Sequence, residues 1–250
     1  MSGHSKWSTI KRKKAKTDAQ RGKIFTKIIK EITVAARTGG GDDTSNPALR
    51  NAILAAKAAN MPAMNIERAI KKGTGELPGV VYEDITYESY GPGGTALLIH
   101  VLTDNKNRTV SEIRHILSRH NGSLGESGCV SWNFEKKGII TVNSDKISED
   151  DLLEIVVEAG GDDLRKEDDS FEIITRPDAF ESVKEALAQK NIEIIEADLT
   201  LHPKTTVKVE RKEAEQLLKL VDLLEDHDDV NNVYANFDID PEIMAELEQE

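Results

Sequence analysis

Residues 74–82, Thr-Gly-Glu-Leu-Pro-Gly-Val-Val-Tyr, constrain this chain more than any other stretch. They hold two glycines and a proline, and both the hydrophobic period and the sign of the charge change across them. Before them, apolar residues recur at helical spacing. After them, strand-like alternation and helical runs follow one another. A chain that changes period this way folds as separate parts, and 250 residues suffice for two or three small domains. Residues 1–78 carry sixteen Lys and Arg against six Asp and Glu, a net +10, while the remainder carries seventeen against thirty-nine, a net −22. The overall −12 conceals this segregation. A basic segment on an acidic chain points to a polyanion partner.

The first 18 residues show no apolar periodicity. Trp7 and Ile10 stand there among six basic residues, which reads as an arm. Residues 19–38 read as a helix, with Ile24, Phe25, Ile28, Ile29, Ile32, Ala35 and Ala36 at helical spacing and Gly39-Gly40-Gly41 as its stop. A second helix begins at Asn46-Pro47, a cap residue followed by proline, and runs to about Ala59. A third runs from near Pro62 to Gly73, with Lys71 and Lys72 in the last turn, where cations suit the helix dipole. Three helices on short loops predict a small bundle.

Beyond the linker the pattern predicts strands over 82–90, 95–103, 130–134, 138–143, 170–175, 192–201, 205–209 and 230–238. Helices are predicted over 107–120, 148–159, 178–190 and 211–226. The order within 138–200 fits a ferredoxin-like α+β sandwich, and the flanking segments make a second such unit when paired. The fold class is therefore α+β: an N-terminal three-helix domain followed by two ferredoxin-like α+β domains, one inserted in the other. The expected boundaries are 1–78, then 79–134 with 201–240, then 135–200 as the insert, with 241–250 as an acidic tail.

A search for catalytic chemistry returns little. There is no phosphate-binding Gly-x-x-x-x-Gly-Lys loop, no His-Glu-x-x-His and no paired-cysteine spacing. His115 and His120 are five apart and do not share a helix face. His227-Asp228-Asp229 reads as a solvated loop, and Asp162-Asp163 and Asp168-Asp169 as surface turns. Cys129, the single cysteine, reads as a small buried residue at the start of a strand. Gly122-Ser123-Leu124-Gly125 matches the backbone-clamping Gly-x-x-Gly of KH domains only in spacing, with no basic residue between the glycines. No enzyme, metal or cofactor is expected. One cysteine, no apolar run long enough to span a membrane and no secretory h-region place the chain in the cytoplasm, with no membrane partner.

The strongest constellation is basic. Lys6, Lys11, Arg12, Lys13, Lys14, Lys16, Arg21 and Lys23 lie within 18 residues, and phosphate neutralisation needs such groups on flexible stems. Trp7 can stack on a base or anchor the arm. On the first helix, at 100° per residue, Lys23, Lys30 and Arg37 fall within about 40° of one another, with Lys27 close by. The acidic parts, repelled by a polyanion, are expected to face away from this surface. The expected partner is nucleic acid, either duplex DNA or ribosomal RNA, with the acidic domains meeting the transcription machinery or the ribosome.

Several motifs also carry a family resemblance. Gly3-His4-Ser5-Lys6-Trp7, Ile10-Lys11, Lys14, Asp18 and Arg21-Gly22-Lys23-Ile24-Phe25 resemble the opening of the YebC/PmpR family. The likeness continues through Ala58–Pro62, Asn65–Gly73, Tyr87–Gly94 and Leu102–Thr109, over nearly the whole chain. The resemblance implies three domains and a cytoplasmic, DNA-binding probable transcriptional regulator. It also implies kinship with a mitochondrial translational activator of a cytochrome oxidase subunit, and with bacterial proteins linked to ribosomes stalled on proline-rich sequences. Ser89 departs from the family's common Gly, and Ala48, Leu54 and Ala56 stand where charged residues are frequent. The second helix is thus less basic, which places the binding site on the arm and first helix.

Overall fold

The computed structural model describes residues 18–167 and 169–249. Its first part is all helix: α1 (Asp18–Gly39), α2 (Pro47–Ala58) and α3 (Ala63–Gly73). Ile28, Ile32 and Ala36 of α1 bury against Leu49, Ala52, Ile53 and Ala56 of α2 and Ile66 and Ala69 of α3. Asn46 caps α2: its side-chain oxygen accepts from the Leu49 amide at 3.1 Å. Its amide group donates to Ala35 and Gly40 carbonyls, both at 2.9 Å, which ties the α1–α2 turn together. Gly73 allows α3 to touch α1, because a Cβ there would lie 2.5 Å from the Thr33 carbonyl oxygen.

The rest of the chain comprises β1 (Glu83–Tyr90), β2 (Ala96–Thr103), α4 (Lys106–Arg119), β3 (Ser123–Leu124), β4 (Phe134–Asn143), α5 (Glu149–Glu158), β5 (Gly161–Glu167), β6 (Ser170–Thr175), α6 (Phe180–Gln189), β7 (Ile194–Pro203), β8 (Val207–Val209), α7 (Arg211–Glu225), β9 (Val230–Ala235), β10 (Phe237–Ile239) and α8 (Pro241–Gln249). From β4 to β7 the order is βαββαβ in one antiparallel sheet, β5-β6-β4-β7. Alternate residues Ile140, Val142, Phe171 and Ile173 face Leu152 and Val156 of α5 and Phe180, Val183 and Leu187 of α6. This is the ferredoxin-like arrangement.

A second antiparallel sheet runs β3-β1-β2-β9. Counted as second, third, first and fourth strands, these have the same spatial order as the insert. The chain simply enters at the third strand. Leu97, Ile99 and Val101 of β2 pack on Ile113 and Leu117 of α4 and on Leu217, Leu220, Val221 and Leu224 of α7. β9 returns to pair with β2 only after the whole insert, Leu97 facing Ala235. A small cluster of Ala96, Leu98, Val130 and Phe134, with Leu201 and Tyr234 against it, joins the two sandwiches.

Three expectations are corrected. Residues 130–134 are not a strand: Ser131–Asn133 form a 3-10 turn and β4 begins at Phe134. Asp162 and Asp163 are not turn residues but lie in the edge strand β5, whose charged outer positions hid its pairing with β6. Residues 241–249 form α8, and Met244 is buried in the second sandwich with Ile243 and Leu247 packed beside it. Their apolar spacing outweighs the surrounding glutamates.

Candidate nucleic-acid interface

The predicted arm residues Lys6, Trp7, Lys11, Arg12, Lys13, Lys14 and Lys16 lie outside the described residues. Of the remaining candidates, Arg21, Lys23 and Arg37 are exposed, Lys27 is half-buried and Lys30 is buried. Expectation and structure part company at Lys30.

Residues 23, 27 and 30 form one row on α1 because they are spaced by four and three. That row faces the segment joining α7 to β9. The Lys23 ammonium donates to the Asp226 carbonyl at 3.2 Å and stands 3.7 Å from its carboxylate. Lys27 donates to the Glu225 carbonyl. Lys30 donates to the Asp229 carboxylate at 2.7 Å, to the Asp228 carbonyl at 2.8 Å and to the Leu102 carbonyl at 3.3 Å. All three of its protons therefore have acceptors. Tyr82 lies under the same ammonium, ring centroid at 5.6 Å, and the Tyr82 carbonyl accepts from Arg37 at 3.4 Å. One residue beyond Lys30, the Glu31 carboxylate accepts from the Asn231 side chain. The expectation that the acidic parts face away from this helix is thus corrected. An ammonium row and a set of carbonyl and carboxylate oxygens attract each other within one chain before any outside polyanion arrives.

Asp229 is the centre of the contact. Besides Lys30 its carboxylate accepts from Arg108 at 2.6 Å, Thr109 at 2.7 Å and Thr103 at 3.1 Å. Burial opposes its ionisation, but the hydrogen bonds from Lys30, Arg108 and Thr109 overcome that and hold it well below the usual carboxylate range. His227 is not solvated as expected. Its Nδ1 accepts from the Asp229 amide at 3.1 Å, which leaves Nε2 to donate to Glu112 at 2.9 Å. Burial pushes the Glu31 carboxyl up, against the bond from Asn231. Beside the contact opens a cleft of about 1000 Å³, lined by Lys23, Thr26, Arg108, His115, Asp226 and Asp228 among others.

Gly122-Ser123-Leu124-Gly125 is no phosphate clamp in form. Ser123 and Leu124 are the short strand β3 on the edge of β1, and Gly122 donates to the Leu117 carbonyl at 2.8 Å to close α4. Cys129 is half-buried against the cluster between the sandwiches. Arg50 and Lys57 on α2 and Arg68 and Lys71 on α3, none of them among the predicted binding residues, are exposed as well. Helical spacing already sets Arg68 and Lys71 away from the buried Ile66 and Ala69, and Arg50 and Lys57 at the flank of the buried stripe Leu49, Ala52, Ile53 and Ala56.

Fold and site together define a class of protein: a basic three-helix unit mounted through a buried lysine on an acidic pair of interleaved α+β sandwiches. Residues 5–76 match the TACO1/YebC protein N-terminal domain, and residues 82–237 match the TACO1/YebC second and third domain. The chain belongs to the TACO1/YebC family. A probable transcriptional regulatory protein of Syntrophobacter fumaroxidans is 61% identical over 99% of this chain and 100% of its own length. Another of that description, from Syntrophus aciditrophicus, is 59% identical over 99% of each. The crystal structure of a conserved hypothetical protein from Aquifex aeolicus superposes with a TM-score of 0.79 at 48% identity, covering 92% of this chain and 95% of that one.

Proposed function

We propose that the protein regulates transcription in the cytoplasm by binding DNA through its basic N-terminal unit, without catalysing a reaction on it. The observation that carries this reading is the charge segregation: a net +10 over residues 1–78 on a chain of net −12. Lys6, Lys11, Arg12, Lys13, Lys14 and Lys16 of the arm, with Arg21, Lys23 and Arg37 of α1, supply phosphate contacts, and Trp7 offers a stacking surface. Residues 79–134 with 201–240, and the insert 135–200, present the acidic surface to protein partners. The names of the curated relatives support the regulatory part of this reading.

Such binding weakens steeply with salt, log K falling by about 0.9 per neutralised duplex phosphate for each decade of salt. Reversing Lys11, Arg12, Lys13 and Lys14 to Glu is expected to abolish DNA binding and leave the circular dichroism spectrum and Tm unchanged. An unchanged affinity in that variant refutes the assignment. Co-sedimentation with ribosomes that excess duplex DNA does not reverse makes ribosomal RNA the target instead, since phosphate contacts do not distinguish the two.

A further inference from the structure

We propose that the contact between α1 and residues 225–229 is an autoinhibitory latch, which a nucleic-acid backbone opens by taking over the lysine row. The inference rests on the nucleic-acid reading above and adds its regulation. Lys23, Lys27 and Lys30 form the one folded row of ammonium groups on α1, and in the closed form every one of them donates to an oxygen of that segment. Those carbonyl and carboxylate oxygens occupy the row that phosphate oxygens would need.

The two sides of the latch differ in a way that favours reversal. Asp229 keeps Arg108, Thr103 and Thr109 from its own unit whether or not Lys30 is present. Opening therefore leaves no buried carboxylate without a partner, the usual penalty for separating a buried pair. Lys30, for its part, passes to water or to phosphate. Among the described residues, the helical core contains no buried residue from the sandwiches, and the sandwich cores contain none from α1. The units thus meet mainly through polar groups, as reversible interfaces do. A pivot lies at hand: residues 74–81 are exposed, and Gly75 has φ +84.

The test measures the distance between the units in the full chain. Spin labels are placed at Ala58→Cys on α2 and Ser118→Cys on α4, both exposed positions, in a Cys129→Ser background. A short random-sequence DNA duplex is the probe. The latch predicts that the distance lengthens and broadens as duplex saturates the protein. It also predicts that Asp229→Asn shows the longer distance without duplex. That variant then binds duplex about thirtyfold more tightly if the closed form outweighs the open one about thirtyfold. Salt-dependent binding at an unchanged distance overturns the latch and leaves the proposed function standing. Should Asp229→Asn fail to fold, the distance in the chain with native Asp229 decides alone. Absence of duplex binding by both proteins overturns the DNA-binding reading and the duplex-opened latch with it.

Discussion

Lys30→Met separates a buried structural contact from a surface ion pair. The methionine keeps most of the stem and removes the ammonium, with its bonds of 2.7, 2.8 and 3.3 Å. Hydrogen bonds to charged groups contribute about 1.5–3 kcal/mol each, but removing the ammonium also removes the cost of burying it. Asp229 retains Arg108 and two threonines, so the loss stays below the roughly 3–5 kcal/mol of a broken buried pair. We expect about 2 kcal/mol. Asp229→Asn in a double-mutant cycle should give a Lys30–Asp229 coupling of at least about 1 kcal/mol. The assay is urea unfolding followed by circular dichroism, in low salt and in about 1 M salt, where the screening length falls to about 3 Å. Both side chains are under one-tenth exposed, so the coupling should survive high salt. A coupling under about 0.3 kcal/mol, or one that vanishes in high salt, refutes the argument, because exposed pairs behave that way.

Other consequences follow from single residues. His202 is pushed down to about 4, first by burial and then by the nearby Arg165 charge. Its folded value lies below its unfolded one, so the unfolded chain binds more protons between about pH 6.5 and 4, and stability is lost as pH falls through that window, by about 3 kcal/mol at most. His202→Leu should flatten the slope of Tm against pH there; an unaltered slope counts against the assignment. Gly73→Ala places a methyl 2.5 Å from the Thr33 carbonyl oxygen and 2.7 Å from the Ala36 methyl, and should destabilise the helical unit by about 1–3 kcal/mol in urea unfolding. Met244→Ala should cost about 2–4 kcal/mol by the same assay, whereas residues 241–249 as a loose tail would make it neutral.

The helical unit was legible almost to the residue. Its apolar stripes are clean, and Asn46-Pro47 announces a helix start in both side-chain chemistry and backbone angle. The insert was legible except at β5, where Asp162, Asp163, Arg165 and Lys166 present charge on an edge strand while Leu164 packs against the core. α8 was obscured for a similar reason, because exposed Glu242 and Glu246 alternate with the packed Ile243, Met244 and Leu247. Lys30 was illegible for a deeper one. Helical spacing shows that three lysines share a face, but not that Asp229, about 200 residues later, is brought back against it. Whether a charge meets water or a partner is decided by tertiary contact, and the contact here closes across about 200 residues of sequence.

The interrupted second sheet also has a bearing on the order of events during synthesis. β1, β2 and α4 leave the ribosome early, but β2 waits for β9, the far side of the entire insert, before both its edges are paired. Until then β2 offers the unpaired edge of a strand whose residues Ala96–Ile99 and Val101–Thr103 are all buried in the finished fold, the kind of edge that templates aggregation. The insert's own strands pair within residues 134–203, so it can fold first and draw the two halves together, shortening the effective loop that β9 must close. A chain halted between residues 203 and 230 would hold a finished insert and an unfinished sheet, and that interval is when this protein most needs a chaperone.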